Sequence, residues 1–262
     1  MTAPVLKVTD LSKSFGGLQA VRNVTFQVDT GELLALIGPN GAGKSTCFNM
    51  LMGQLKRDSG TVVLEGEDIS GLSPRAIWRK GVGRTFQITA TYPTMTVIEN
   101  VQMALISHHG RIFSFRPYAR NLYLEEARSL LDLVGMIDQA DRASAILAYG
   151  DLKRLELAIA LAHDPRLLLM DEPTAGMAPR ERISLMQLTA DIVKERNISV
   201  LFTEHDMDVV FAHSHRIMVL NRGELIANGT VDEVRNDPHV QEVYLGGGKV
   251  FGNENLGTGG YA

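Results

Sequence analysis

The segment from Leu33 to Thr46, Leu-Leu-Ala-Leu-Ile-Gly-Pro-Asn-Gly-Ala-Gly-Lys-Ser-Thr, constrains this chain more than any other. Leu33 to Ile37 is an apolar run too short for a helix and bounded by Gly38-Pro39, so it reads as a buried strand. Gly38, Gly41 and Gly43 then let the backbone turn so that successive N–H groups face one spot, an anion nest, and Lys44 opens the following helix. Nest, helix dipole and ammonium all favour a polyphosphate. The candidate phosphate-binding residues are therefore Gly38, Pro39, Asn40, Gly41, Ala42, Gly43, Lys44, Ser45 and Thr46, with the Ser45 hydroxyl placed to ligate Mg²⁺.

A chain of 262 residues with 45% hydrophobic content can bury one substantial core, or a core plus a smaller subdomain. Its 26 basic and 30 acidic residues are mixed along the sequence, so no electrostatic footprint for nucleic acid is expected. The single cysteine, Cys47, rules out a disulfide framework and reads as a small apolar filler, with a regulatory thiol as the alternative. No secretory signal is evident and no segment reaches about 18 uninterrupted apolar residues, so any membrane contact is expected to run through a partner.

Val5 to Val8 and Val24 to Val28 alternate in polarity and predict antiparallel strands around Gly16-Gly17 and Gly31. The helix after Lys44 should end at Gly53, and Thr61 to Leu64 should be another strand, followed by a turn-rich stretch to Pro74. After a strand end at Arg84 to Gln87, the character changes to helices. Thr96 and Glu99 are spaced as a capping box for a helix to Ser107. Leu122, Leu130, Leu131 and Val134 form a stripe closing at Gly135, and a further helix is expected over about Leu152 to Ala162. The basic, aromatic link from His108 to Tyr118 reads as a solvated loop or a docking surface. Leu167 to Met170, a helix over about Arg180 to Glu195, and Ser199 to Thr203 form strand, helix and strand, which predicts a right-handed parallel crossover. Arg216 to Leu220 and Leu225 to Asn228 should close the domain as a hairpin around Asn221-Arg222-Gly223. From Gly246 on, the glycine-rich tail is expected to be mobile.

A phosphate loop alone is compatible with a kinase, a GTPase or a motor. Asp171, at the end of an apolar strand, is where a P-loop enzyme puts the carboxylate that holds Mg²⁺, and Glu172 beside it can polarise an attacking water. At this point the chain resembles the ATP-binding cassette (ABC) ATPases along almost its whole length. Gly38 to Ser45 resembles their Walker A motif, Leu167 to Asp171 the Walker B strand, Glu172 the catalytic glutamate, Gln87 the Q-loop and His205 the switch histidine. Leu147-Ala148-Tyr149-Gly150-Asp151 resembles the signature motif.

The resemblance implies an α/β fold: a P-loop NTPase sheet core over 1–87 and 156–245, with an antiparallel β subdomain, and an inserted helical subdomain over about 88–155. It implies ATP and Mg²⁺ as cofactors, with Lys44, Glu172 and His205 catalytic, Ser45, Gln87 and Asp171 at the metal, and Phe15 stacked on adenine, although a Phe near a strand end also reads as core. Gly150, expected just before a helix, and Tyr149 would meet the nucleotide of another subunit. Among the family's members the chain is similar to the first ATPase subunit of bacterial branched-chain amino acid importers, through Gly83-Arg84-Thr85-Phe86-Gln87, the long insertion and Tyr244-Leu245-Gly246. Importers of urea, amides or aromatic acids, and non-transport ABC ATPases, are the alternatives. A second ATPase subunit, two membrane-spanning permease subunits and, indirectly, a periplasmic substrate-binding protein are the implied partners, at the cytoplasmic face of the inner membrane. Two departures stand out: Ala148 replaces the usual signature Ser, and Ala178 stands where a D-loop carboxylate is usual. Together they point to a heterodimer.

Overall fold

The computed structural model describes residues 3–85, 91–111 and 121–245. Its strands separate into two sheets according to how many faces each buries. β1 (Leu6–Phe15), β2 (Leu18–Val28), β4 (Ser59–Leu64) and β5 (Glu67–Asp68) bury one face at most and pair antiparallel in the order β2-β1-β4-β5. β3 (Leu33–Ile37), β7 (Leu167–Asp171) and β8 (Ser199–Thr203) are buried at every position, as strands covered on both faces are. With β6 (Val82–Thr85), β9 (Arg216–Asn221) and β10 (Glu224–Gly229) they form the second sheet, ordered β10-β9-β3-β8-β7-β6, parallel except for β10 at the edge.

The two-residue period of a strand explains how the second sheet supports two cores. Leu33, Ala35 and Ile37 join the core on the side of the long helices, whereas Leu34 and Leu36 face the first sheet and α1 (Lys44–Leu51). Cys47 is fully buried in that second cluster as an apolar filler, and burial pushes its thiol up to about 12.

On the other side, α3 (Val97–His108) carries the expected reciprocal cap: Glu99 N donates to Thr96 Oγ1 at 3.3 Å, and Thr96 N to Glu99 Oε2 at 2.8 Å. α4 (Leu124–Leu133) buries Ala127, Leu130 and Leu131 and is followed by Gly135 at φ 70°. α5 (Tyr149–Leu161) packs between these helices, β6 and α6 (Pro179–Arg196).

Several expectations need correction. Pro74 does not close a turn-rich stretch but opens α2 (Pro74–Arg79), because Ser73 caps it and proline is preorganised at the first helical position. Leu122 lies before α4, where its carbonyl accepts from Gln102. α5 starts three residues before Leu152, so Gly150 sits inside its first turn rather than ahead of it. Three short helices follow the last motifs: α7 (Met207–His213), α8 (Val231–Asn236) and α9 (Pro238–Leu245). Phe86 and Gln87, most of the link after His108, and the tail from Gly246 lie outside the described residues. Among the described residues no helix is long and apolar enough to cross a membrane.

Candidate nucleotide site

Gly38, Gly41 and Gly43 all have positive φ, and two of them have no room for a side chain. A Cβ on Gly38 would lie 2.1 Å from Leu220 O, and one on Gly43 2.3 Å from Ala20 O. The loop is thus wedged between β2 and the β9–β10 hairpin, whose Gly223 N donates to Ala42 O at 2.9 Å. Arg222 and Gly223 both take positive φ, the backbone a two-residue hairpin loop needs. Lys44 is buried, its Nζ donating to Gly38 O (2.7 Å) and Pro39 O (3.2 Å). Burial lowers its pKa, and the Glu172 and Asp171 carboxylates act against that fall.

Asp171 ends β7, buried, with one donor on each oxygen: Thr203 donates to Oδ1 at 2.8 Å and Arg84 Nη2 to Oδ2 at 3.1 Å. Arg84 also reaches Asn49 and Gln54 through Nη1. Glu172 follows at φ 49°, its N–H donating to Thr203 Oγ1 (3.0 Å) and O (3.1 Å). This left-handed kink turns its side chain toward His205, whose Nε2 lies 3.0 Å from Glu172 Oε1. A carboxylate, a metal-type carboxylate and an imidazole are therefore gathered at the ends of adjacent parallel strands, the usual place for a ligand in an open α/β sheet. Ser45, in the first turn of α1, and Asp171 offer hard oxygen ligands of the kind Mg²⁺ takes.

A cavity of about 750 Å³ runs from this point along the loop. Asn40 to Thr46, Glu172, Phe15 and Leu18 are among the residues that line it. Phe15 is half exposed, with Lys13 Nζ 5.5 Å from its ring, so the core reading of this residue is excluded. Gln87 lies outside the described residues.

The signature turn stands apart from the cavity. Ala148 gives the first-turn N–H groups of α5 no side-chain acceptor, and Tyr149 is exposed against Gly176. Gly150 is buried, and a Cβ there would lie 3.1 Å from Glu181 Oε1, close enough that the carboxylate would have to shift. Glu181 also accepts from Ala178 N at 3.1 Å, so the D-loop backbone is capped although Ala178 carries no polar group.

Sequence reasoning missed Arg84, Thr203 and Glu204 as parts of the site. A charged residue inside a short strand, and polar residues closing the apolar run of β8, were the available signals.

Residues 21–175 match the family described as ABC transporter, and residues 224–250 that described as Branched-chain amino acid ATP-binding cassette transporter. The chain is 42% identical over 254 residues to the high-affinity branched-chain amino acid transport ATP-binding protein LivG of Escherichia coli, spanning 94% of this chain and 99% of that one. It is 40% identical to BraF of Pseudomonas aeruginosa, over the same shares of the two chains. Among solved structures, it superposes on a nucleotide-free ATP-binding cassette from an ABC transporter with a TM-score of 0.82 at 30% identity, covering 93% of this chain and 99% of that one. These matches, covering both sheets and the nucleotide loop between them, establish that the chain belongs to the ABC transporter family, as one of its ATP-binding ATPase subunits.

Proposed function

We propose that this subunit powers the uptake of branched-chain amino acids by hydrolysing MgATP at the site described above. Lys44 and the loop from Gly38 to Thr46 hold the phosphates, Phe15 stacks on the adenine, and Ser45 and Asp171, with Gln87, hold Mg²⁺. The metal supplies charge neutralisation on the phosphate oxygens. Glu172 takes a proton from the attacking water, and His205 orients Glu172 and the γ-phosphate. The observation that carries this reading is the 3.0 Å pairing of Glu172 with His205 beside a lysine-bearing phosphate loop.

Residues 1–87 and 156–245 serve as the nucleotide core and about 88–155 as the helical subdomain that meets the membrane. Tyr149 and Gly150 complete the site of a second, different ATPase subunit. Two membrane-spanning permease subunits hold the pair at the cytoplasmic face of the membrane, and a periplasmic substrate-binding protein delivers the cargo to them. The similarity to LivG and BraF, whose names give branched-chain amino acid transport, supports the choice of substrate. The test is uptake of labelled leucine, isoleucine and valine by cells carrying wild-type chain or Glu172→Gln. Uptake that survives the substitution, or that is absent for all three amino acids while another solute is imported, would overturn the assignment.

A further inference from the structure

We propose that Glu204 is a positioning residue for ATP hydrolysis, clamping the backbone that carries Glu172 to the backbone that carries His205; the inference rests on reading those two residues as the hydrolytic pair. Glu204 is only 4% exposed, and among the described residues no lysine or arginine pairs with it. A carboxylate taken out of water in this way needs hydrogen-bond donors, and the donors it has come from both sides of the site. Its Oε1 accepts from Thr174 N at 2.8 Å and from Thr174 Oγ1 at 2.6 Å. Its Oε2 accepts from His205 N at 3.2 Å.

Thr174 lies two residues after Glu172, and His205 directly follows Glu204. One side chain therefore sets the separation of the two segments on which the Glu172–His205 pairing depends. An outer tie runs in parallel: Arg182 donates from Nε to Met177 O at 2.8 Å and from Nη1 to Asp206 Oδ2 at 2.6 Å. With Glu172 N bound to Thr203, residues 172–177 and 203–206 form one rigid unit around the pair. Misplacing a catalytic group by about 1 Å costs roughly a hundred-fold in rate, so the clamp is a determinant of turnover although it touches no substrate.

The experiment is a double-mutant cycle of single-turnover ATP hydrolysis in the full-length chain within its assembled transporter, using wild type, Glu204→Gln, His205→Ala and the double variant. The Gln amide would set an NH₂ against the His205 N–H while keeping size and the contact with Thr174. The expected result is a rate about ten- to a hundred-fold lower for Glu204→Gln, with MgATP affinity close to wild type and Tm lowered by only a few degrees. In the His205→Ala background the same change should cost less than about two-fold, because the Glu172–His205 pairing whose separation Glu204 sets is gone. Losses that multiply fully in the double variant, or a Glu204→Gln rate within about two-fold of wild type, would overturn the proposal. If Glu204→Gln does not fold, Thr174→Val replaces it in the same cycle, with a several-fold loss that again vanishes without His205. Absence of wild-type ATP hydrolysis would instead contradict the underlying ATPase reading.

Discussion

Glu172 Oε1 and His205 Nε2 stand 3.0 Å apart at the ends of neighbouring parallel strands, and Glu172 adopts a left-handed backbone to make that approach. Glu172→Gln keeps the shape and a hydrogen-bonding oxygen but is far less basic. It should therefore retain MgATP affinity while lowering turnover by about 10² to 10⁴, measured as steady-state ATPase beside nucleotide binding. Turnover within a few-fold of wild type would remove Glu172 from its role.

Lys44→Ala should act on binding itself, since in the proposed site this ammonium would meet phosphates already in the ground state. A titration with a fluorescent ATP analogue should show weakened affinity for Lys44→Ala and little change for Glu172→Gln. Equal affinities would contradict that division.

The three glycines of the loop should not be equivalent. Gly43→Ala would put a methyl 2.3 Å from the Ala20 carbonyl and must displace β2 or the loop, whereas a Cβ at Gly41 meets nothing within 4 Å. Gly41→Ala should therefore fold at the cost of only the backbone strain of its positive φ, about 1–2 kcal/mol. Gly43→Ala should abolish binding or folding. Thermal unfolding of the two variants, with and without MgATP, separates them.

His163 gives a pH dependence whose sign is fixed. It is buried, stacked on Trp78 at 4.8 Å between ring centroids, with its Nε2 unpartnered among the described residues. Burial, with His108 nearby, lowers its pKa from 6.5 to about 4. In the unfolded chain it binds a proton below about 6.5, but in the folded chain only near 4, so stability is present above that window and is lost as pH falls through it. The loss by pH 4 is ~3 kcal/mol from this group alone, and His163→Leu should remove it. Urea unfolding at pH 7 and pH 4.5, followed by the fluorescence of the chain's single tryptophan, measures the difference. An identical pH dependence in both proteins would exclude His163 as the titrating group.

The partner prediction follows from Ala148 and Ala178. A neutral hydrogen bond contributes about 0.5 to 1.5 kcal/mol and one to a charged group about 1.5 to 3, so a homodimer would lack these contacts at both of its sites. The chain alone, trapped with Glu172→Gln, should stay mostly monomeric with MgATP in size-exclusion chromatography with light scattering. A tight ATP-dependent homodimer at low micromolar protein would show that no second ATPase is required.

The residues legible in the sequence were those whose chemistry is local. β3, the phosphate loop and the Walker B strand announce themselves by a short apolar run meeting glycine or carboxylate, and the α3 cap by two residues three apart. The start of α5 was hidden because Ala148 supplies no capping side chain and Gly150 is a poor helix former. α8 carries a reciprocal Thr230–Glu233 cap that the sequence did display, but its six residues bury only Val234, too little to make a periodic stripe. The partners of Arg84 and Glu204 could not be read in advance, because Asp171 and Thr174 lie 87 and 30 residues away and meet them only through strand order.

α5 runs unbroken for 13 residues, ~20 Å, from the signature turn to β6. At its far end Ala160 O and His163 Cε1 lie 3.3 and 3.0 Å from where a Cβ of Gly83 would be, so a bare glycine is the bearing on which the rod sits. A rod pivoting there turns a tilt of ~10° into ~3 Å of travel at Gly150. Hydrogen bonds weaken over a few tenths of an ångström, so that travel is the whole difference between contact and none. Because α5 packs against both α3 and α4, a shift of those helices would reach the signature turn through one rigid element rather than be absorbed along the way.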